Sequence, residues 1–309
     1  MKILRFCSLL ALSLPAFTVS AAEPRVLASV HPLGLVAASV VSAEQLSVLV
    51  PPGMTPHDFS LRPSDVEKIQ AADVILWSGA EGEPYLAGFA KRWPDKQWID
   101  VSAFAADGHH DDDAQDGHDD HDHQRGDSHR DGDVHDHGDD AHDHAGHHHD
   151  PHWWLNPEQM VAAQRQLAQR LGRDPAPFAA AVEQQLAASQ QTLSPLRGRG
   201  FFVFHRAWDH WVEHFGLNQV GAFTLTPEQK PGLKTLQSMR TQIEQGNVVC
   251  VFSEPEFSPA LVESVVRGTG VRRGELDPMA LNIPLTVNGY PAFLSDLTQR
   301  FETCLKNDR

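Results

Sequence analysis

The sequence predicts an α/β protein of two similar βα lobes, each with a four-stranded, mostly parallel sheet, joined by one long rigid helix. Three observations carry this expectation. Between residues 26 and 101, short apolar runs bounded by turn residues alternate with helical stretches, the order that builds parallel sheets. The same alternation returns after residue 200. Between the two lies a stretch whose pattern is helical throughout, with no strand in it.

In chain order, residues 1–22 read as a secretory signal peptide: Lys2 and Arg5, an apolar run over 6–19, then Ser20-Ala21-Ala22. The run is too short for a permanent anchor and nothing later is apolar for long enough, so a soluble exported chain is expected. Cys7 leaves with the leader. An N-terminal lobe is assigned to 23–173, with strands at 26–30, 46–50, 74–77 and 98–101. Its clearest helix opens at Ser64-Asp65-Val66-Glu67, which has the form of a capping box.

The segment 107–150 interrupts this lobe. It holds sixteen Asp and two Arg, a net charge of −14 out of −16 for the whole chain. Thirteen of the nineteen histidines lie there: His109, His110, His118, His121, His123, His129, His135, His137, His142, His144, His147, His148 and His149. A tract with so few apolar residues forms no packed core, and a disordered loop is expected. Its interleaved imidazoles suit zinc, copper or nickel, held weakly and interchangeably as a secondary metal loop. Outside it the chain is close to neutral, and no nucleic-acid partner is expected.

Helices follow at 157–171 and from Asp174, an N-cap ahead of Pro175, to residue 193, where Pro195 stops the pattern. The linking helix is therefore placed at 174–196, with a length of roughly 30 Å. The C-terminal lobe, 197–309, has strands at 201–204, 219–223, 248–252 and 271–275. One of its helices closes at Gly246 and another opens with Ser258-Pro259. Cys250 and Cys304 remain after the leader; in an oxidising compartment they most simply make one disulfide, two separate thiols being the other outcome.

Four metal-capable residues follow strands: His57 after the second, His152 at the end of the long loop after the fourth, His205 directly after Phe204, and Asp277 after the last. Ligands of open α/β sheets bind beyond the carboxyl ends of strands, so a site in the cleft between the lobes is expected, two residues from each. Three imidazoles and a carboxylate suit Zn²⁺. His31 is placed at the rim, and Glu254 is expected to cap the helix that follows it. His210-Trp211-Val212-Glu213-His214 matches the inverted zinc-peptidase signature H-x-x-E-H. Helical spacing puts Trp208, Trp211, Val212 and Phe215 on one apolar stripe, however, and His210, Glu213 and His214 on the opposite, solvent face.

The ordered set Pro56-His57-Asp58-Phe59-Ser60-Leu61-Arg62-Pro63-Ser64-Asp65, the acidic histidine loop, Asp150-Pro151-His152-Trp153-Trp154-Leu155-Asn156-Pro157, Phe204-His205, Ser253-Glu254-Pro255-Glu256-Phe257 and Leu276-Asp277-Pro278 resembles the periplasmic zinc-binding receptors of bacterial ABC uptake systems, the ZnuA type. The resemblance implies capture of Zn²⁺ without a reaction, and delivery to an ABC transporter permease with a cytoplasmic ATPase. It also implies a periplasmic monomer without membrane insertion and a disulfide matching Cys250 and Cys304. Manganese receptors of the same superfamily usually carry Glu where this chain has His205, which favours zinc, and zinc members complete the shell with the equivalent of Asp277 or with water. Two alternatives are a zinc-dependent hydrolase, for which no H-E-x-x-H is present, and a periplasmic zinc buffer or chaperone without a transporter.

Overall fold

The computed structural model describes residues 23–105, 150–225 and 231–306; residues 1–22, expected to be a leader, and the histidines from His109 to His149 lie outside the described residues. The N-terminal half runs β1 (Val26–Ala28), α1 (His31–Ala37), β2 (Leu46–Val48), α2 (Pro63–Ala71), β3 (Val74–Trp77), α3 (Gly79–Gly82), α4 (Pro84–Arg92), β4 (Gln97–Asp100), then α5 (Pro157–Arg170). α6 (Ala176–Leu193) leads to β5 (Gly200–His205), α7 (Asp209–Phe215), β6 (Asn218–Thr224), α8 (Leu233–Glu244), β7 (Cys250–Ser253), α9 (Ala260–Val266), β8 (Arg272–Glu275) and α10 (Gly289–Leu305).

Both sheets are four-stranded and parallel, with the orders β2-β1-β3-β4 and β6-β5-β7-β8. The central strands β1, β3 and β5 are buried at every position, as expected of parallel strands with helices on both faces. The edge strand β8 reads Arg-Arg-Gly-Glu, and charged side chains on an edge discourage pairing with another chain. At the start of β5 a Cβ on Gly200 would fall 2.0 Å from the Asn247 carbonyl oxygen, so only glycine lets the chain into β7 pass so close.

All eight expected strands form within two residues of their expected ends. The capping box at Ser64 and Glu67 does not. α2 starts two residues earlier, with Arg62 as its N-cap and Pro63 as its first residue, and Asp65 Oδ2 accepts the Arg62 amide at 3.1 Å. Proline has its φ already set for a first helical turn and no amide to leave unpaired there, which moves the start back. Asp174 does bond the opening of α6, its Oδ1 accepting the Ala176 amide at 3.0 Å.

The linking helix α6 has eighteen residues, a rise of about 27 Å. It is braced along its length by α10: Phe178, Val182 and Leu193 are buried, and Ser189 Oγ shares a hydrogen bond of 2.7 Å with Thr298 Oγ1. One apolar core runs through both lobes, and a second covers the outer side of the C-terminal sheet around Phe202, Phe223 and Val251. The lobes are also stitched by Trp154, whose Nε1 donates to the Pro278 carbonyl at 2.7 Å while its own carbonyl accepts from the Tyr290 hydroxyl at 2.9 Å. Cys250 and Cys304 form a disulfide that ties β7 to α10, with their Cα atoms 5.8 Å apart. Among the described residues no helix is long and apolar enough to cross a membrane.

Candidate metal centre

His205 is the last residue of β5, buried, and its neighbour strand β7 delivers Glu254 beside it. Glu254 Oε2 lies 2.6 Å from His205 Nδ1, and Oε1 accepts the His205 amide at 3.3 Å. From the other lobe comes His152, also buried, at the head of the tight turn Trp153–Leu155. Asp150 Oδ1 lies 2.5 Å from its Nδ1 and accepts its amide at 3.0 Å. In both residues the Nδ1 proton is directed to a carboxylate, which turns the Nε2 lone pair toward the cleft. This is the carboxylate-histidine pairing that fixes tautomer and ring orientation at metal sites and raises ligand basicity.

The third imidazole, His57, sits half-buried on the loop between β2 and α2. Its Nε2 is 3.1 Å from His152 Nε2, and His205 Nε2 is 3.3 Å from the same atom. One ring nitrogen from each of the three lies within 4.8 Å of the others, and among the described residues this is the one group of three or more metal-capable side chains so arranged. Two nitrogen ligands held at ~2.0–2.1 Å by a tetrahedral zinc ion are about 3.3 Å apart. The observed spacing therefore admits such an ion with little movement.

Burial would raise the Asp150 carboxyl, but the charge and hydrogen bonds of His152 outweigh it and hold the group below the usual range. An ionised carboxylate behind an imidazole favours a cation in front of it.

Asp277 lies outside the group of three. It is buried, with Oδ1 accepting the Met279 amide at 2.9 Å and Oδ2 the Leu281 amide at 2.7 Å. These bonds hold a turn in which Ala280 takes φ 54°, a left-handed conformation uncommon outside glycine. Burial raises the Asp277 carboxyl against the pull of those amides, and Glu256 beside it is pushed up to about 8 by burial and by the charges of Asp277 and Glu254. His31 is likewise outside the group, its Nε2 donating to the Ile283 carbonyl at 2.8 Å.

Two expectations are overturned here. Glu254 does not simply cap the next helix; it orients His205. Of the H-x-x-E-H motif, Glu213 is exposed as expected, but the two histidines are half-buried against the other lobe. His210 Nε2 donates to the Asp150 carbonyl at 2.8 Å and its ring stacks on Trp153, while His214 Nδ1 pairs with Glu158 at 2.9 Å. Trp208, Trp211 and Phe215 are buried as expected and Val212 is half-buried; a helical wheel does not show that His210 and His214, on the other side, meet the N-terminal lobe. Sequence reasoning also passed over Asp150 as an orienting group, although an acid two residues before a candidate ligand histidine was a usable signal.

A family model described as "Zinc-uptake complex component A periplasmic" matches residues 26–304. The chain is 34% identical over 306 residues to the high-affinity zinc uptake system protein ZnuA of Yersinia pestis, covering 92% of each. It is 32% identical over 306 residues to the protein of the same name from Haemophilus ducreyi, covering 92% of this chain and 94% of that one. A crystal structure of ZnuA superposes with a TM-score of 0.68 at 20% identity, over 92% of this chain and 100% of that one. The periplasmic zinc-binding protein TroA from Treponema pallidum gives 0.70 at 16% identity, over 93% and 100%. At these identities the superpositions speak to the two-lobed fold.

Proposed function

Since the chain belongs to the family of periplasmic zinc-uptake complex component A, we propose that it captures Zn²⁺ on the Nε2 atoms of His57, His152 and His205 and hands it on to an uptake system. The protein is a receptor, as its family is, and performs no turnover. The observation that carries the ligand assignment is the convergence of three ring nitrogens from two lobes at zinc spacing, two of them backed by carboxylates. Water completes the shell in this reading, because Asp277 joins only by giving up its two amides.

The same reading takes residues 1–22 as the export leader, 23–173 and 197–309 as the two lobes of a monomer, and 174–196 as their link. A permease with a cytoplasmic ATPase receives the ion, and the histidines between His109 and His149 collect zinc weakly beside the cleft. His57→Ala, His152→Ala and His205→Ala are each expected to lower tight zinc affinity by more than about 100-fold, beyond what loss of an outer-shell group costs. Isothermal titration measures this; undiminished affinity in any one variant removes that residue from the site.

A further inference from the structure

The H-x-x-E-H motif on α7 has no part in the three-nitrogen group, yet its two histidines are engaged. Both reach the same stretch of the N-terminal lobe, the one that carries His152. The Asp209 amide, at the start of α7, donates to Asp150 Oδ2 at 3.1 Å. One residue on, His210 Nε2 donates to the Asp150 carbonyl at 2.8 Å. The His210 ring lies on the buried Trp153 indole, centroids 4.5 Å apart and planes 29° from parallel. One turn later His214 pairs with Glu158. Segment 150–158 is thus held on α7 at four points, and α7 begins four residues after His205.

His152 and His205 come from different lobes, so their 3.3 Å separation is set by how the lobes dock, and these four links lie immediately beside that pair. We propose that His210, assisted by His214, is a positioning residue that locks the His152 segment onto the C-terminal lobe and presets the metal site before the ion arrives. A second metal site on the i, i+4 pair is not the better account: the two rings turn to different partners, and neither belongs to a metal-capable group among the described residues. His210 is the stronger link, since its bond and stack involve the buried Asp150 and Trp153. The Glu158 side chain is 64% exposed, so its pair with His214 is screened and weaker. Presetting matters because a site that must first be assembled binds with its affinity reduced by the fraction of molecules already assembled.

The proposal rests on the three-histidine reading, and the experiment separates the two. Zinc affinity is measured by chelator competition in the full chain for His205→Ala, His210→Ala, His210→Gln, His214→Ala and His210→Phe, with the Tm of each zinc-free protein alongside. Expected are loss of tight binding in H205A, a reduction of about tenfold in H210A, and a smaller one in H214A. H210Q, which sets an amide where the imidazole Nε2 stood, is expected to recover most of the affinity. H210F keeps a ring on Trp153 without the donor and is expected to fall between H210A and the parent; it serves in place of H210A if that variant does not fold. A merely structural role lowers Tm and leaves affinity unchanged. Parent affinity in H210A, or in H210F where H210A does not fold, with H205A inactive, overturns the positioning role alone; tight binding in H205A overturns the site itself.

Discussion

His152 and Asp277 occupy equivalent places in two copies of one topology. Each comes after the last strand of its sheet, β4 in one lobe and β8 in the other, and each is buried. Their side chains have opposite commitments. His152 has one ring nitrogen on Asp150 and presents the other to two imidazoles, whereas Asp277 has an oxygen on each of two backbone amides of its own turn. Equal position in a fold thus confers an equal opportunity to face the cleft. What the side chain does there is decided by the partner behind it.

The sharpest way to break this comparison is to remove each member in turn. His152→Ala is expected to abolish tight zinc binding while leaving the turn at Asp277 intact. Asp277→Ala leaves the Met279 and Leu281 amides unpaired in a buried turn, an expected loss of about 1–3 kcal/mol of stability by denaturant titration, with a much smaller change in zinc affinity. If folded D277A lost zinc as completely as H152A, the carboxylate would be a ligand and the contrast would be wrong.

A smaller effect tests the partners themselves. Asp150→Asn and Glu254→Gln keep the shape behind His152 and His205 but remove the charge. Each is expected to weaken zinc binding by about 10–100-fold, measured by chelator competition. Affinity equal to the parent in both would mean that the imidazoles need no carboxylate to orient them.

Glu83 sharpens the comparison from the other side, as a buried carboxylate with no imidazole to serve. It accepts the Ser78 amide at 2.7 Å and the Tyr85 hydroxyl at 3.1 Å, and burial, opposed by those bonds, pushes its carboxyl up to about 7. Where the bonds from His152 hold the Asp150 carboxyl down, burial holds the Glu83 carboxyl up. Between the ordinary value near 4.5 and about 7 the folded chain binds the proton more tightly than the unfolded chain, so stability falls as pH rises. The contribution is fully present below about 4.5 and lost as pH passes through about 7, at most about 3 kcal/mol. Glu83→Gln is expected to flatten that part of the stability profile in urea titrations at stepped pH; an unchanged slope would show that Glu83 is ionised throughout.

The central strands were legible because burial on both faces demands apolar runs, as at 74–77 and 201–204. His57, His152 and His205 were legible as residues in the segments that follow strands, and docking of the two lobes brings a ring nitrogen of each within 4.8 Å of the others. The start of α2 was not, since Ser64 and Pro63 offer competing signals and the proline prevails. Nor were the partners of His205 and His210. Glu254 reaches His205 only because β5 and β7 are neighbours, a pairing between residues 49 apart, and His210 meets Asp150 only when the two lobes dock. Local pattern carries strand and helix; contacts across lobes depend on the assembled fold.

The most direct test of the central claim is a crystal structure of the zinc-loaded protein with anomalous scattering collected at the zinc edge. The expected result is a cleft peak ~2.0–2.1 Å from the Nε2 atoms of His57, His152 and His205, with Asp277 still on its two amides. A principal peak bound instead through Asp277 and Glu256, or one lacking any of the three imidazoles, would contradict it.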